Sequence, residues 1–251
     1  MLELLTDTRI DLAHSGARHG VGLFETIRVF AGLPLRLGAH LERLAAGARF
    51  LGLDAPPDPA AVLTFLAART PCAALASGAL RLVALDGNLH VTVSPWEPDR
   101  PAWIEAGLSL ETRRFSESPL NRFKTLSYLE NRLMAQEAGR RGLYEVIAAN
   151  EQGRLTDGSR TSLFLVLGGC LLTPPVADGA LPGVARRTLL EAGLATEARL
   201  GPEDLARAEA ALLTNALRGA VPVHGFNGQE RGPLDAGHAL VLRAVDLLKP
   251  S

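Results

Sequence analysis

"FKTLSYLENRLMAQEAGRRGLYEVIAANEQGRLTDGSRTSLFLV" runs from Phe123 to Val166, and the change of pattern along it decides the fold. Lys124 opens the stretch, one of only two lysines in an arginine-rich chain. A helix is predicted from about Glu130 to Arg141. Then "YEVIAAN" has the length and apolar content of a strand, Glu151-Gln152-Gly153 is a turn, and "SLFLVL" is another strand. A lysine on a polar surface is ordinarily a solvated charge. The alternative is an amine placed to link to a carbonyl group. The flanking sequence decides between them.

Upstream, "GLFETIRVF" (Gly22 to Phe30) alternates like a half-buried strand. "GAHLERLAAGARFLGL" (Gly38 to Leu53) is helical, with Leu41, Leu44, Ala45 and Phe50 expected on one face. "PAAVLTFLAAR" is a second helix. "ALRLVAL" and "LHVTVSPW" form a hairpin turned at Asp86-Gly87-Asn88, where Asp-Gly suits positive φ. "LSLETRRF" is one more strand, and the turn-rich "SESPLNR" is the best linker. Downstream, "SLFLVL" and "CLLTPP" pair through Gly168-Gly169. "LPGVARRTLLEAGL" is a helix opened by Pro182-Gly183. "AALLTNALRGAVPV" is strand, break, strand, and "LDAGHALVLRAVDLL" is an amphipathic helix. The expectation is an α+β chain of two domains, residues 1–108 and 121–251, joined by a linker at 109–120.

The 251 residues can bury a sizeable core, and the net charge of −1 has no block of one sign. Electrostatic capture of nucleic acid or of a membrane is therefore not expected. Cys72 and Cys170 lie among apolar neighbours without metal-ligand spacing, so they read as small core residues and no metal site is expected. The N-terminal "MLELLTDTRIDLAH" carries acids and no long apolar run, and no transmembrane stretch is evident. A soluble, cytoplasmic protein is the expectation.

Four pieces carry chemistry. Lys124 is the first. Asp157, in "RLTDGSRTSLFLV", is a carboxylate on a loop before a strand. The Pro182-Gly183 helix start leaves backbone N–H groups free for an anion. Thr214 and Asn215 end a buried strand with hydroxyl and amide groups. An aldehyde-binding amine, a carboxylate for a ring nitrogen and a phosphate cradle are what pyridoxal phosphate needs. The residues alone support only an enzyme with an anionic cofactor.

"GVGLFETIRVFAGLPLRLGAHLERLAAGARFLGL", "FKTLSYLENR", "LTDGSRTSLFLV", "LLTPPVADGALPGVARRTLLE" and "LLTNALRGAVPV" together resemble the fold-type IV pyridoxal phosphate enzymes, the class-IV aminotransferase family. The resemblance covers almost the whole chain. It implies a small N-terminal domain, a larger C-terminal domain with a β-barrel-like core, and a homodimer with active sites near the subunit interface. It implies that Lys124 anchors pyridoxal 5'-phosphate and, once released, acts as the base; that role needs a lowered amine pKa. It puts Asp157 where the family usually has the longer glutamate, against the pyridine nitrogen. It gives Arg43, Gly183, Val184 and Thr214 to the phosphate, and Tyr128, after Ser127, to the cofactor ring.

The family contains branched-chain and D-amino acid aminotransferases and 4-amino-4-deoxychorismate lyases. Asn215-Ala216-Leu217-Arg218 followed by Val221-Pro222-Val223 resembles the lyases, with Asn215 and Arg218 implied at the substrate. Thr26 and Arg28 share a face of the "FETIRV" strand, which lines the substrate pocket in the family. Thr26 is then a hydrogen-bond or proton partner and Arg28 a substrate ligand. Many relatives carry Arg-Gly where this chain has Asp86-Gly87, and Arg81, inside its strand, is expected to face the other way. That short turn keeps an aminotransferase as the second reading. A non-catalytic relative using the fold as a binding module is the third, and retention of Lys124 speaks against it.

Overall fold

The computed structural model describes residues 1–7, 9–10, 12–13, 15–97, 103–227 and 233–250. The chain divides into two compact units. The first is Met1–Pro98 with Phe123–Tyr128 and Pro250; the second is Asp99–Arg122 and Leu129–Lys249.

In the first unit the elements are β1 (Glu3–Leu5), α1 (Ser15–His19), β2 (Leu23–Phe30), β3 (Leu33–Pro34), α2 (Leu37–Leu51), α3 (Pro59–Arg69), β4 (Ser77–Leu85) and β5 (Asn88–Pro95). The strands form one sheet in the order β1-β5-β4-β2-β3. The β4–β5 hairpin turns on Asp86 and Gly87, with φ of 50° and 79°, the positive values a tight two-residue turn demands. Leu37, Leu41, Leu44 and Ala48 of α2 are buried in one cluster with Leu23, Ile27 and Val29 of β2 and Leu80 and Leu82 of β4. A Cβ on Gly47 would lie 2.8 Å from Leu23 Cδ2, so glycine there lets the helix approach its strand. Phe50, expected on the core face, is 50% exposed, and its ring stacks on Phe123 at 4.8 Å. The buried row steps by three and four residues from Leu37 to Ala48, which carries Phe50 off the face.

Six residues return to this unit late in the sequence. Phe24 N–H donates to Lys124 O at 2.8 Å, Leu126 N–H donates to Gly22 O at 2.9 Å, and Leu23 bridges Thr125. Lys124 is thus carried on a short extended segment laid along β2.

The second unit contains β6 (Ile104–Arg114), α4 (Leu129–Arg140), β7 (Glu145–Asn150), β8 (Leu155–Gly158), β9 (Ser162–Leu167), β10 (Cys170–Thr173), α5 (Val184–Glu191), β11 (Thr196–Glu197), α6 (Pro202–Arg207), β12 (Ala210–Asn215), β13 (Gly219–Asn227) and α7 (Ala239–Leu248). The sheet order is β11-β10-β9-β12-β13-β6-β7-β8, and β8 also pairs with β9. Strands β9, β12, β13, β6, β7 and β8 therefore close a six-stranded barrel, the core the family resemblance implied. Alternation sorts its side chains. Leu163 and Leu165 of β9 and Leu213 of β12 belong to one buried cluster, with Ile104, Ile147 and Val223. Phe164, Val166 and Leu212 belong to another, with Leu189 of α5 and Val241 of α7.

Residues 109–120, expected as a linker, hold the end of β6 and part of a 3-10 turn over Pro119–Arg122. The strand pattern of "LSLETRR" continues to Arg114, so less of the chain is left for a connection. Cys72 is buried as expected, but Cys170 is exposed, because it opens β10 on the outward side of a Gly-Gly turn. Among the described residues, no helix is long and apolar enough to cross a membrane, and no cluster of metal-ligating side chains occurs.

Candidate active site

Strand periodicity gives β2 two faces. Glu25 lies on the side of α2, while Phe24, Thr26 and Arg28 share the other. On that second face, Lys124 Nζ lies 4.2 Å from the centroid of the Phe24 ring and 4.6 Å from that of Tyr128, and it donates to Tyr128 Oη at 3.2 Å. The two rings meet edge to face at 5.0 Å. Arg81 was expected to point away. It is instead the register partner of Thr26, and its guanidinium carbon lies 4.4 Å from the Phe24 centroid. Directly opposed residues of an antiparallel pair share a face, so Arg81 belongs with Lys124. Arg28 is buried, with its guanidinium 5.4 Å from the Trp96 ring. One sheet face thus carries three cations among aromatic rings. Ser127 is exposed beside them.

On the opposite side, Arg43 and His40 of α2 converge on Glu25. Arg43 Nε donates to Oε1 at 2.8 Å and Nη2 to Oε2 at 2.6 Å, while His40 Nδ1 lies 2.6 Å from Oε2. Burial pushes the Glu25 carboxyl up. The Arg43 charge and the bonds from His40 and Arg43 outweigh it and hold the group at about 2. Burial lowers the His40 pKa, so its ring is neutral and Nδ1 carries the hydrogen given to Glu25. Arg43, implied as a phosphate ligand, therefore commits two donors to Glu25.

The second unit presents a different set. Asp157, within β8, accepts from Arg114 Nε at 3.3 Å through Oδ1 and from Leu181 N–H at 3.1 Å through Oδ2. Arg114 Nη1 also donates to Asn131 Oδ1 at 3.2 Å and Glu130 Oε2 at 3.1 Å. Burial raises the Asp157 pKa against the pull of Arg114. Gly183 caps α5, and the first amides of the helix, starting with Val184, have no carbonyl one turn back to bond. A Cβ on Gly183 would lie 2.7 Å from Ser162 Oγ, so glycine leaves that hydroxyl where it stands at the start of α5. Ser162 is in turn the register partner of Thr214 on β12. Thr214 Oγ1 is buried with no hydrogen-bond partner among the described residues. An unsatisfied buried hydroxyl costs roughly 1–3 kcal/mol, which argues for a bound acceptor. Asn215 Oδ1 accepts from Leu217 N–H at 3.1 Å and Arg218 N–H at 2.8 Å, so the side chain shapes the turn that carries Arg218. Arg218 itself lies with its guanidinium carbon 5.8 Å from the Tyr144 ring.

Ser162, Arg114, Arg81, Glu25 and His40 went unassigned in the sequence. Register alone would have paired Arg81 with Thr26. No local signal marks Arg114 as the partner of Asp157.

A closed barrel with an anion-ready helix start, a buried carboxylate and an unsatisfied hydroxyl, in a chain with a lysine among aromatic rings, is the equipment of a fold-type IV pyridoxal phosphate enzyme. Residues 22–226 match the family described as "Amino-transferase class IV", and the chain belongs to that family. It is similar to an aminodeoxychorismate lyase of Bacillus subtilis, 26% identical over 82% of this chain and 78% of that one. It is also similar to a bifunctional aminodeoxychorismate lyase / D-amino acid transaminase of Mycobacterium tuberculosis, 28% identical over 85% and 84%. Branched-chain-amino-acid aminotransferases match as well. A solved fold IV-transaminase from Curtobacterium pusillum superposes with a TM-score of 0.82 at 26% identity, covering 98% of this chain and 92% of that one. The cofactor is pyridoxal 5'-phosphate. The residues present fit it: Thr214 Oγ1 is an unpartnered donor for a phosphate, the Val184 amide opens α5 next to the Ser162 hydroxyl, and Asp157 is a buried carboxylate for a ring nitrogen.

Proposed function

We propose that the protein is a pyridoxal phosphate-dependent 4-amino-4-deoxychorismate lyase, releasing 4-aminobenzoate and pyruvate. The observation that carries this reading is the pair of arginines, Arg28 and Arg81, on the sheet face of Lys124. The substrate has two carboxylates, and guanidinium forks suit carboxylates. The Asn215–Arg218 turn and the lyase names of two relatives support it.

Lys124 anchors the cofactor, and Gly183, Val184, Ser162, Thr214 and Arg43 hold its phosphate. Asp157 faces its ring nitrogen and Tyr128 orients the Lys124 amine. When bound, the cofactor supplies an aldehyde for the substrate amine and a ring that draws electrons from the adjacent carbon. Lys124 takes the proton from the amine-bearing carbon. Arg28, Arg81 and Arg218 hold the carboxylates while the ring-carbon-to-oxygen bond of the enolpyruvyl ether breaks. Thr26 hydrogen-bonds the reacting part of the substrate. The departing oxygen gains the proton, pyruvate leaves, and the substrate ring becomes aromatic. Neither an oxidant nor a keto-acid acceptor is consumed. This reading makes the protein a cytoplasmic homodimer of folate biosynthesis.

An aminotransferase acting on D- or branched-chain amino acids is the second reading, favoured by the short Asp86-Gly87 turn and by relatives bearing those names. The test is to supply purified protein with aminodeoxychorismate and no keto acid. Equal 4-aminobenzoate and pyruvate are expected, and Lys124→Ala removes both. No product from a yellow, cofactor-loaded protein overturns the lyase and sends the search to amino acids with an acceptor.

A further inference from the structure

Between Asp157 and Ser162 the chain makes a four-residue loop, Gly158 to Thr161, where β8 turns into β9. Those two flanking residues are the register pair that closes the barrel, and both are assigned above to the cofactor. The loop is shaped around one side chain. Glu145, at the start of β7, is wholly buried, with a relative exposure of 0%. Its Oε1 accepts from Ser159 N–H at 3.0 Å and Val146 N–H at 3.1 Å. Its Oε2 accepts from Thr161 Oγ1 at 3.0 Å and Arg160 N–H at 3.2 Å. All four partners are neutral donors, and only an acceptor on both oxygens satisfies them. Gly158 is part of the same fit. A Cβ there would lie 2.3 Å from Thr161 Oγ1 and 2.7 Å from Glu145 Cδ. From the other side, Asn131 Nδ2 donates to Ser159 O at 2.8 Å.

We propose that Glu145 is a positioning residue for the cofactor: its carboxylate fixes the Gly158–Thr161 loop and so sets the placement of Asp157 and Ser162. It touches neither substrate nor cofactor and acts through those two. The inference rests on the pyridoxal phosphate reading and is independent of which reaction follows. Three of the four donors belong to the loop, so a change at Glu145 is felt there before anywhere else.

A buried carboxylate can also matter for stability alone, and the fold supplies a control. Glu137 of α4 is equally buried. It accepts from Ser109 Oγ at 2.6 Å, Leu110 N–H at 2.9 Å and Arg141 Nη1 at 2.5 Å, beside the register shift of β6. The experiment titrates the apoprotein with pyridoxal 5'-phosphate, reading the dissociation constant and the absorbance maximum of the bound form. The apo melting temperature is measured alongside. Glu145→Gln is expected to weaken cofactor binding at least tenfold and to move the absorbance maximum. Glu137→Gln is expected to lower the melting temperature comparably with less than a twofold change in affinity. Equal loss of affinity in both variants, or wild-type affinity in a folded Glu145→Gln protein, overturns the proposal. Should Glu145→Gln not fold, Thr161→Val removes one donor and keeps the carboxylate. A several-fold weaker cofactor supports the proposal, and unchanged binding overturns it. A wild-type protein that binds the cofactor yet leaves aminodeoxychorismate intact ends the lyase reading and leaves this one standing.

Discussion

Glu25 and Glu145 are both buried carboxylates, one in each unit, and their surroundings act on them in opposite directions. Glu25 has a guanidinium along one edge and an imidazole N–H beside it, and its pKa falls to about 2 despite burial. Glu145 is held by backbone and hydroxyl donors, with no cation hydrogen-bonded to it among the described residues, and burial leaves its pKa raised against those bonds and the more distant Arg160 charge. Hydrogen bonds from neutral groups satisfy a carboxylate geometrically. At Glu25 a guanidinium bonded to both oxygens, together with the His40 bond, is what offsets the loss of water. The first arrangement clamps a helix to a strand. The second shapes a loop, and that loop stays sensitive to the charge it wraps.

The largest effect should come from removing the charge that Glu25 relies on. Arg43→Met leaves a buried carboxylate uncompensated, and urea unfolding of the apoprotein should show a loss of about 3–5 kcal/mol. A loss below about 1 kcal/mol would break the contrast. Glu145→Gln should cost less, roughly 1–3 kcal/mol, because it replaces an acceptor by an amide that turns N–H groups toward donors. Acid sharpens the contrast further. The Glu25 pKa is lowered, so its contribution is fully present above its ordinary value of 4.5 and is lost as pH falls toward about 2. The Glu145 pKa is raised from the same 4.5, so its ionisation in the folded state costs stability as pH rises above that value. Apo melting temperatures between pH 7 and 3 should therefore show wild type losing its advantage over Glu25→Gln and gaining on Glu145→Gln. Parallel slopes would refute this. The smallest effect on stability is expected from Thr214→Val, a gain of about 1 kcal/mol in the apoprotein, since it removes a buried hydroxyl that forms no hydrogen bond there. Cofactor affinity should nonetheless fall.

Local chemistry was legible in the sequence. Asp86-Gly87 announced its hairpin and Pro182-Gly183 its helix start, because φ preference and capping act over a few residues. Alternation gave β2, and an apolar run closed by Gly168-Gly169 gave β9. What escaped was long-range. The barrel depends on β6 pairing with β13 and β9 with β12, strands far apart in the chain, and the return of Phe123–Tyr128 to β2 joins residues about a hundred positions apart. The site divides the same way. Lys124, Asp157 and Thr214 stood in recognisable motifs, and the structure gives each a partner or a conspicuous lack of one. Arg81 could not be oriented without register. Glu25 stands in phase with the apolar Leu23, Ile27 and Val29 of β2, and only α2 with His40 and Arg43 explains a carboxylate on the core side.

The discontinuity of the first unit has a consequence for how the protein is made. β2 acquires β3 and β4 while residues 1–98 emerge, but the segment that covers the beginning of its second edge follows only with Phe123–Tyr128. Domains generally fold as units during synthesis, N-terminal first. Here the nascent sheet waits with Gly22 O and Phe24 N–H unmatched until that segment is translated. Lys124 arrives with that segment, so the β2 edge of the first unit is completed only when Lys124 is in place.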